Sequence, residues 1–219
     1  LLTGLGDGTF WITLACLATA VAGYLSSRRI PDAPAPEPAL QINPNPITET
    51  WRNIGFAREN RTVFLSILGI SWFWLFGALM LAQFPAYAKN VLGGTETSVT
   101  LLLGVFTLGI GFGSLLCERL SAKQLEIGLV PFGSIGLSLF GLDLAFASPA
   151  FVPHPPLSIL PLLALPSTVH VLIDLFAIGL FGGFFIVPLY ALMQLRSDPK
   201  FGARIIAANN IFNALFMVV

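Results

Sequence analysis

Charged side chains are scarce in this sequence. Asp, Glu, Lys and Arg make up 10% of its 219 residues, against about 25% in ordinary soluble domains. Hydrophobic residues make up 55%, more than a water-soluble core of this size would bury. The formal net charge is zero, and nothing in this balance indicates a nucleic-acid partner. The composition therefore indicates a chain that lies in a lipid bilayer.

Cysteine and histidine are also rare, with two of each. Cys16 and Cys117 lie in apolar runs and lack metal-ligand spacing, so the sequence supports neither a disulfide framework nor a zinc site. It also contains no nucleophile–base arrangement and no phosphate-binding glycine loop. We therefore expect that this segment is not an enzyme and that it holds no metal or cofactor.

Long apolar stretches separate the few charged residues. About 20 apolar residues are needed to cross the hydrocarbon core of a bilayer. The stretches that qualify are 8–27, 62–88, 97–117, 127–147 and 175–195, and a sixth begins at Ile205. The predicted fold class is therefore an all-α membrane protein with about six transmembrane helices. Since the chain opens on Leu1 and ends within the sixth stretch, we expect it to be part of a longer protein.

The positive charges are distributed unevenly between the two sides that six alternating crossings create. Ten of the 11 Lys and Arg residues fall on one side, and Lys89 alone falls on the other. Cytoplasmic loops carry the excess of Lys and Arg in membrane proteins. The sequence therefore predicts cytoplasmic connections at 28–61, 118–126 and 196–204, and outer connections at 89–96 and 148–168.

The first connection is much longer than the others and begins with a proline-rich stretch, which is typical of an extended linker. Its second part, 47–60, places Ile47, Trp51 and Ile54 among charged residues, a pattern that predicts a surface amphipathic helix. We therefore divide the chain into the last helix of an N-terminal bundle (1–27), a cytoplasmic inter-bundle linker (28–61) and a truncated C-terminal bundle of five helices (62–219).

A glycine-rich helix end runs into a charged cytoplasmic loop after the third stretch. It resembles the G-x-L-a-D-r-x-G-r-k loop of major facilitator transporters, although Cys117 replaces the Asp of that motif and the acid, Glu118, is displaced by one position. Charge-assisted hydrogen bonds in such a loop can hold helix ends together in one state and release them in another. Gly113, Glu118, Arg119 and Lys123 are candidates for this gating role; an ordinary charged turn is an equally good interpretation.

Polar side chains at membrane depth are costly and often functional. Asn209 and Asn213 are four residues apart and therefore share a helix face. They are candidates to line a substrate cavity, with hydrogen bonding between helices as the alternative, and Gln83 is a weaker candidate. Asp143 and Asp174 are expected to be solvated charges at the outer ends of their spans.

The two histidines, His154 and His170, are assigned to the outer proline-rich connection or its edge. That position makes them poor candidates for proton coupling. In the fifth stretch, Gly182 and Gly183 predict close helix packing, and Pro188 is expected to kink the helix.

The segment 179–192, G-L-F-G-G-F-F-I-V-P-L-Y-A-L, is followed by Gln194 and by an Asn-rich helix with A-A-N-N-I at 207–211. This combination resembles the lysophospholipid transporter family of the major facilitator superfamily. It is most similar to the form that is fused to a glycerophosphoethanolamine acyltransferase and an acyl-carrier-protein ligase. The resemblance implies a partial major facilitator fold containing helices six to eleven of twelve.

The same resemblance implies import of lysophospholipids, chiefly lysophosphatidylethanolamine, across a bacterial inner membrane. Its implied partners are the lipid substrate, the preceding helices of the same protein and a downstream acyltransferase domain. Two other functions remain open at this point: a major facilitator carrier for a small solute or drug, and a membrane anchor for a fused acyltransferase.

Overall fold

A computed structural model describes residues 8–31, 43–121, 126–148 and 156–218 of the chain. Six of the described helices are long and apolar enough to cross a membrane, so the predicted all-α membrane fold is confirmed. The helices are α1 (Gly8–Ser27), α2 (Pro46–Glu59), α3 (Arg61–Asn90), α4 (Glu96–Leu120), α5 (Leu129–Ala147), α6 (Ile159–Leu163), α7 (Pro166–Arg196) and α8 (Gly202–Val218).

The chain divides into two compact units, Leu1–Ile42 and Asn43–Val219. In the first unit, α1 contains 20 residues. At a rise of about 1.5 Å per residue, this length is about 30 Å, the thickness of a bilayer's hydrocarbon core. The second unit contains α2 to α8.

Helix α2 is the amphipathic helix that the sequence predicts at 47–60. It begins after Asn45, whose side-chain oxygen accepts hydrogen bonds from the backbone N–H groups of Ile47 at 3.0 Å and Thr48 at 3.4 Å. Pro46 occupies the first helical position, where its missing N–H costs nothing. The helix packs against α8 and α3, so part of the predicted linker belongs to the second unit.

Helix α7 is the innermost helix of the second unit. In the part of α7 that is long and apolar enough to cross a membrane, 67% of the residues are buried. The corresponding share is 17–28% in α3, α4, α5 and α8. It begins at Pro166, nine residues before the predicted start of the fifth span. That predicted boundary is wrong because Asp174, which was used to mark it, lies inside the helix and is 1% exposed.

Glycine allows α4 and α7 to cross with their backbones in contact. A Cβ atom added to Gly183 would lie 2.6 Å from the carbonyl carbon of Gly113 and 2.6 Å from the backbone nitrogen of Ser114. Gly109 and Gly179 face each other in the same way one turn earlier. Since the contacts advance along both helices together, α4 and α7 run parallel.

The cytoplasmic ends predicted from the charge pattern lie on one side of the second unit. The Asn60 side chain, at the start of α3, donates a hydrogen bond to the carbonyl oxygen of Arg196 at 3.1 Å, at the end of α7. Because α4 runs parallel to α7, Arg119 lies at this same end. Which membrane face this basic end meets stays a prediction.

Candidate substrate site

Two asparagines of α8 lie buried against α3. Asn209 is 2% exposed and Asn213 is 8% exposed. The Asn213 side-chain oxygen accepts a hydrogen bond of 2.9 Å from the hydroxyl of Ser71, which is fully buried in α3. Asn213 therefore forms the hydrogen bond between helices that the sequence analysis gave as the alternative to a place in a substrate cavity.

Asn209 differs from Asn213 because its side-chain oxygen, although buried, has no hydrogen-bond partner among the described residues. A buried amide without a partner costs about 1–3 kcal/mol, so such atoms usually meet water, an ion or a ligand. Asn210, the next residue, points away and is exposed. The spacing of four thus correctly identified the buried face of α8.

Gln83 does not join this pair. It lies in α3, twelve residues beyond Ser71, which corresponds to about 18 Å along the helix axis. Its side chain is exposed. The three residues that the sequence nominated for a substrate cavity therefore separate into a buried pair and one distant surface amide.

A second polar cluster, which the sequence analysis did not single out, lies where α2 meets the start of α8. The Arg204 guanidinium lies 5.0 Å above the centre of the Phe56 ring and 3.8 Å from a Glu49 carboxylate oxygen. One terminal nitrogen of Arg204 and the side-chain oxygen of Asn53 are buried without a hydrogen bond among the described residues. Arg204 precedes Asn209 by five residues, so the two polar positions lie about 7.5 Å apart along the axis of α8.

An apolar groove of about 360 Å³ lies beside this cluster, between α2 and α8. Its exposed lining includes Ile47 and Trp51, which are 69% and 66% exposed. The groove therefore offers an apolar surface on the same pair of helices that holds the Arg204–Glu49 pair, an arrangement that suits an amphipathic molecule. The residues that line it are Pro46, Ile47, Thr50, Trp51, Ile54, Ile211, Phe212 and Leu215.

The four gating candidates fall into different environments. Gly113 is buried in the α4–α7 crossing and belongs to helix packing. Glu118 and Arg119 are exposed in the last turn of α4, where neither forms an ion pair among the described residues. Lys123 lies outside the described residues. Cys117, at the Asp position of the motif, is buried and 2% exposed.

The two predicted packing glycines face different neighbours. Gly183 meets α4, whereas a Cβ on Gly182 would lie 3.0 Å from the Phe73 ring of α3. Pro188 is buried, and α7 continues through it to Arg196. The kink expected at Pro188 stays a prediction.

A third polar cluster lies at the opposite end of the second unit from Arg196. The His170 Nε2 atom is 3.0 Å from an Asp143 carboxylate oxygen and 3.7 Å from Asp174 Oδ2. The expectation that Asp174 is a solvated charge is wrong, because Asp174 lies within α7 and is buried. His170 lies near the start of α7, at the edge of the predicted outer connection. His154 lies outside the described residues.

The sequence missed this cluster because Asp143 and His170 are 27 positions apart and are joined only by the packing of α5 on α7. The spacing of four between His170 and Asp174 was the one available signal, since it places both side chains on one helix face.

Comparison with known proteins gives this geometry a family context. The profile of the Major Facilitator Superfamily matches residues 2–219. The lysophospholipid transporter LplT of Serratia proteamaculans is 28% identical over 210 residues, which cover 92% of this chain and 48% of that protein. The protein of the same name from Klebsiella pneumoniae (MGH 78578) is 29% identical over 224 residues, covering 95% of this chain and 50% of that protein.

The chain thus spans about half the length of the curated relatives it matches. No solved structure matches it significantly.

Proposed function

The chain belongs to the Major Facilitator Superfamily, and from this membership we propose that it is the part of a lysophospholipid transporter that contains the last helix of the first bundle and most of the second. The complete protein moves lysophosphatidylethanolamine-like lipids across the bacterial inner membrane by alternating access. The likeness to proteins named lysophospholipid transporters over more than nine-tenths of this chain supports the substrate class.

The observation that carries the proposal is the buried, unpartnered amide oxygen of Asn209. In an apolar helix bundle, such an atom needs a donor from outside the helix. The ammonium group of an ethanolamine head group is a donor of this kind. Asn209 is therefore assigned to head-group binding, while Asn213 holds α8 against α3 through Ser71.

The groove between α2 and α8 supports an amphipathic substrate. Its apolar lining can cover an acyl chain. Arg204 contacts the same helix, α2, and its buried terminal nitrogen lies 3.8 Å from a Glu49 carboxylate oxygen without a hydrogen bond among the described residues. A guanidinium group binds phosphate through paired hydrogen bonds. The lipid therefore lies with its phosphate toward Arg204 and its tail in the groove.

The missing first-half helices of the same protein are the partner that this proposal needs most. Transporters of this kind place the substrate between their two repeated halves, and this chain supplies mainly one side. The exposed Glu118 and Arg119 act as gating residues at the basic end. A downstream acyltransferase domain, which would reacylate the imported lipid, completes the proposed pathway of the substrate.

Uptake of labelled lysophosphatidylethanolamine by the full-length protein in proteoliposomes tests the proposal. Asn209→Ala removes an amide that binds substrate, so uptake falls by up to about tenfold, the equivalent of one hydrogen bond of ~1.5 kcal/mol. Asn210→Ala is the matched control, because it changes the same residue type on the exposed face of the same helix turn.

Two results would contradict the assignment. Equal losses in the Asn209→Ala and Asn210→Ala proteins would remove Asn209 from the binding site. Absence of lysolipid uptake in a folded wild-type protein would reject the substrate class, and transport of a small solute without competition from lipid would then indicate the solute carrier. An unchanged rate of acylation of externally supplied lysolipid in the double variant Asn209→Ala/Asn213→Ala would indicate a membrane anchor.

A further inference from the structure

The cluster at the end of the second unit opposite Arg196 contains three side chains with metal-binding atoms. Asp143 comes from α5, and His170 and Asp174 come from successive turns of α7. One ligand atom from each residue lies within 4.8 Å of the others. An imidazole nitrogen and two carboxylate oxygens are therefore gathered around one point between two helices.

Asp174 is the buried residue of this cluster. Its side chain is 1% exposed, and its Oδ2 atom is buried without a hydrogen bond among the described residues. This oxygen lies on the side facing His170, 3.7 Å from Nε2. A buried carboxylate oxygen is costly unless a proton donor or a cation meets it.

No basic side chain of the described residues neutralises the two carboxylates. Lys89, the only lysine or arginine expected at this end, lies 3.5 Å from the exposed Glu96 carboxylate. The imidazole of His170 balances at most one negative charge. With both carboxylates ionised, the cluster therefore carries excess negative charge, which a divalent cation would offset.

We propose that Asp143, His170 and Asp174 form a binding site for a divalent transition-metal ion of the Zn²⁺ type. Zn²⁺ accepts His nitrogen and carboxylate oxygen ligands at about 2.0–2.2 Å. In a tetrahedral site these bond lengths place neighbouring ligand atoms about 3.3 Å apart. The distances from His170 Nε2, 3.0 Å to Asp143 and 3.7 Å to Asp174 Oδ2, lie on either side of that value.

The exposure of the ligands defines the kind of site. The side chains of His170 and Asp143 are 48% and 47% exposed, whereas Asp174 is closed off. The ion thus enters from the exposed side of the cluster and binds the buried carboxylate of Asp174. A fourth coordination position remains for water. By bonding Asp143 of α5 together with His170 and Asp174 of α7, it reinforces the 3.0 Å contact between Asp143 and His170 that already joins the two helices.

Calorimetric titration of the full-length protein in detergent with Zn²⁺ tests the site. The wild-type protein is expected to bind one ion per chain at this site. Asp174→Asn, which keeps the size of the side chain, and Asp143→Asn should each weaken binding by about tenfold or more, since even removal of an outer-shell partner costs 10- to 100-fold. Glu96→Gln is the matched control, because it removes an exposed carboxylate at the same end and should leave the affinity unchanged.

Cobalt provides a second measurement that does not depend on heat of binding. Co²⁺ in the wild-type protein should give the strong visible absorption of a tetrahedral site, and the His170→Ala protein should lose it. Unfolding temperatures without metal show which variants fold. Because Asp143 is half exposed, Asp143→Asn keeps the test decisive even if Asp174→Asn does not fold.

Three outcomes would overturn the proposal. The first is a folded wild-type protein that does not bind Zn²⁺ at micromolar concentration. The second is an Asp174→Asn protein that is folded and binds as tightly as wild type, which would indicate adventitious binding to exposed groups only. The third is an equal loss in the Glu96→Gln protein.

Discussion

Asn60 serves two helices at once. Its side-chain oxygen accepts hydrogen bonds from the N–H groups of Thr62 at 3.0 Å and Val63 at 3.3 Å, which caps α3. Its amide nitrogen donates to the last carbonyl group of α7, that of Arg196. One short side chain therefore ends the amphipathic segment, starts a transmembrane helix and satisfies the end of another.

Replacement of Asn60 separates these two roles. Asn60→Ala loses the cap and the bond to α7, so the free energy of unfolding should fall by about 1–2 kcal/mol. Asn60→Asp keeps the capping oxygen and loses the donor, so it should recover most of the stability if the cap dominates. Thermal unfolding of the purified protein in detergent measures both, and an unchanged unfolding temperature in Asn60→Ala would contradict the assignment.

Individual residues also show what the sequence can and cannot predict. The spacing of four correctly placed Asn209 and Asn213 on a buried face, because helical periodicity alone determines which side chains share a face. Asp174 was misplaced because charged residues were used to mark the ends of spans. That rule cannot detect a charge buried inside a helix, although Pro166, in a position that favours the first turn of a helix, was an available signal for the earlier start.

At the scale of helices, the α4–α7 crossing depends on glycine at both sides. Gly183→Ala would place a methyl group 2.6 Å from backbone atoms of Gly113 and Ser114, where no flexible side chain can move aside. The helices must separate, and overpacking of this kind typically costs about 1–3 kcal/mol. The unfolding temperature in detergent should fall accordingly.

Gly111→Ala is the control for this substitution. Gly111 lies on α4 within one turn of Gly113, yet a Cβ atom there would have nothing within 4 Å. Because alanine favours helix over glycine by roughly 0.5–1 kcal/mol, this variant should be neutral or more stable. A similar loss of stability in both variants would show that the crossing does not depend on close backbone contact.

Element prediction succeeded where length and amphipathicity decide the outcome. The six spans and the surface helix α2 followed from apolar length and from the positions of Ile47, Trp51 and Ile54. The order of packing did not, because the sequence gives no direct measure of which helix is surrounded. Helix α7 is innermost because it packs closely against glycines of two neighbouring helices, Gly109 and Gly113 of α4 and Gly133 and Gly136 of α5.

At the scale of the whole molecule, the basic end of the second unit predicts membrane orientation. In a Cys16→Ser background, a Glu96→Cys protein should react with a membrane-impermeant maleimide added to intact cells. A Lys200→Cys protein should react only after the cells are permeabilised, because the Lys- and Arg-rich end faces the cytoplasm. The other cysteine of this chain, Cys117, is buried and should contribute little labelling, and any cysteine elsewhere in the full-length protein is replaced in the same background. The reverse pattern would invert the topology.

The lengths of the helices in the second unit differ widely, and this has a consequence for the membrane around them. Helix α7 has 31 residues, or about 46 Å, whereas α5 has 19, or about 28 Å. The longer helix is shielded by its neighbours, whereas few residues of the shorter one are buried among the described residues. Hydrophobic mismatch in a thicker or thinner bilayer therefore acts first on α5. A change in lipid composition should alter the tilt or packing of this helix before that of α7.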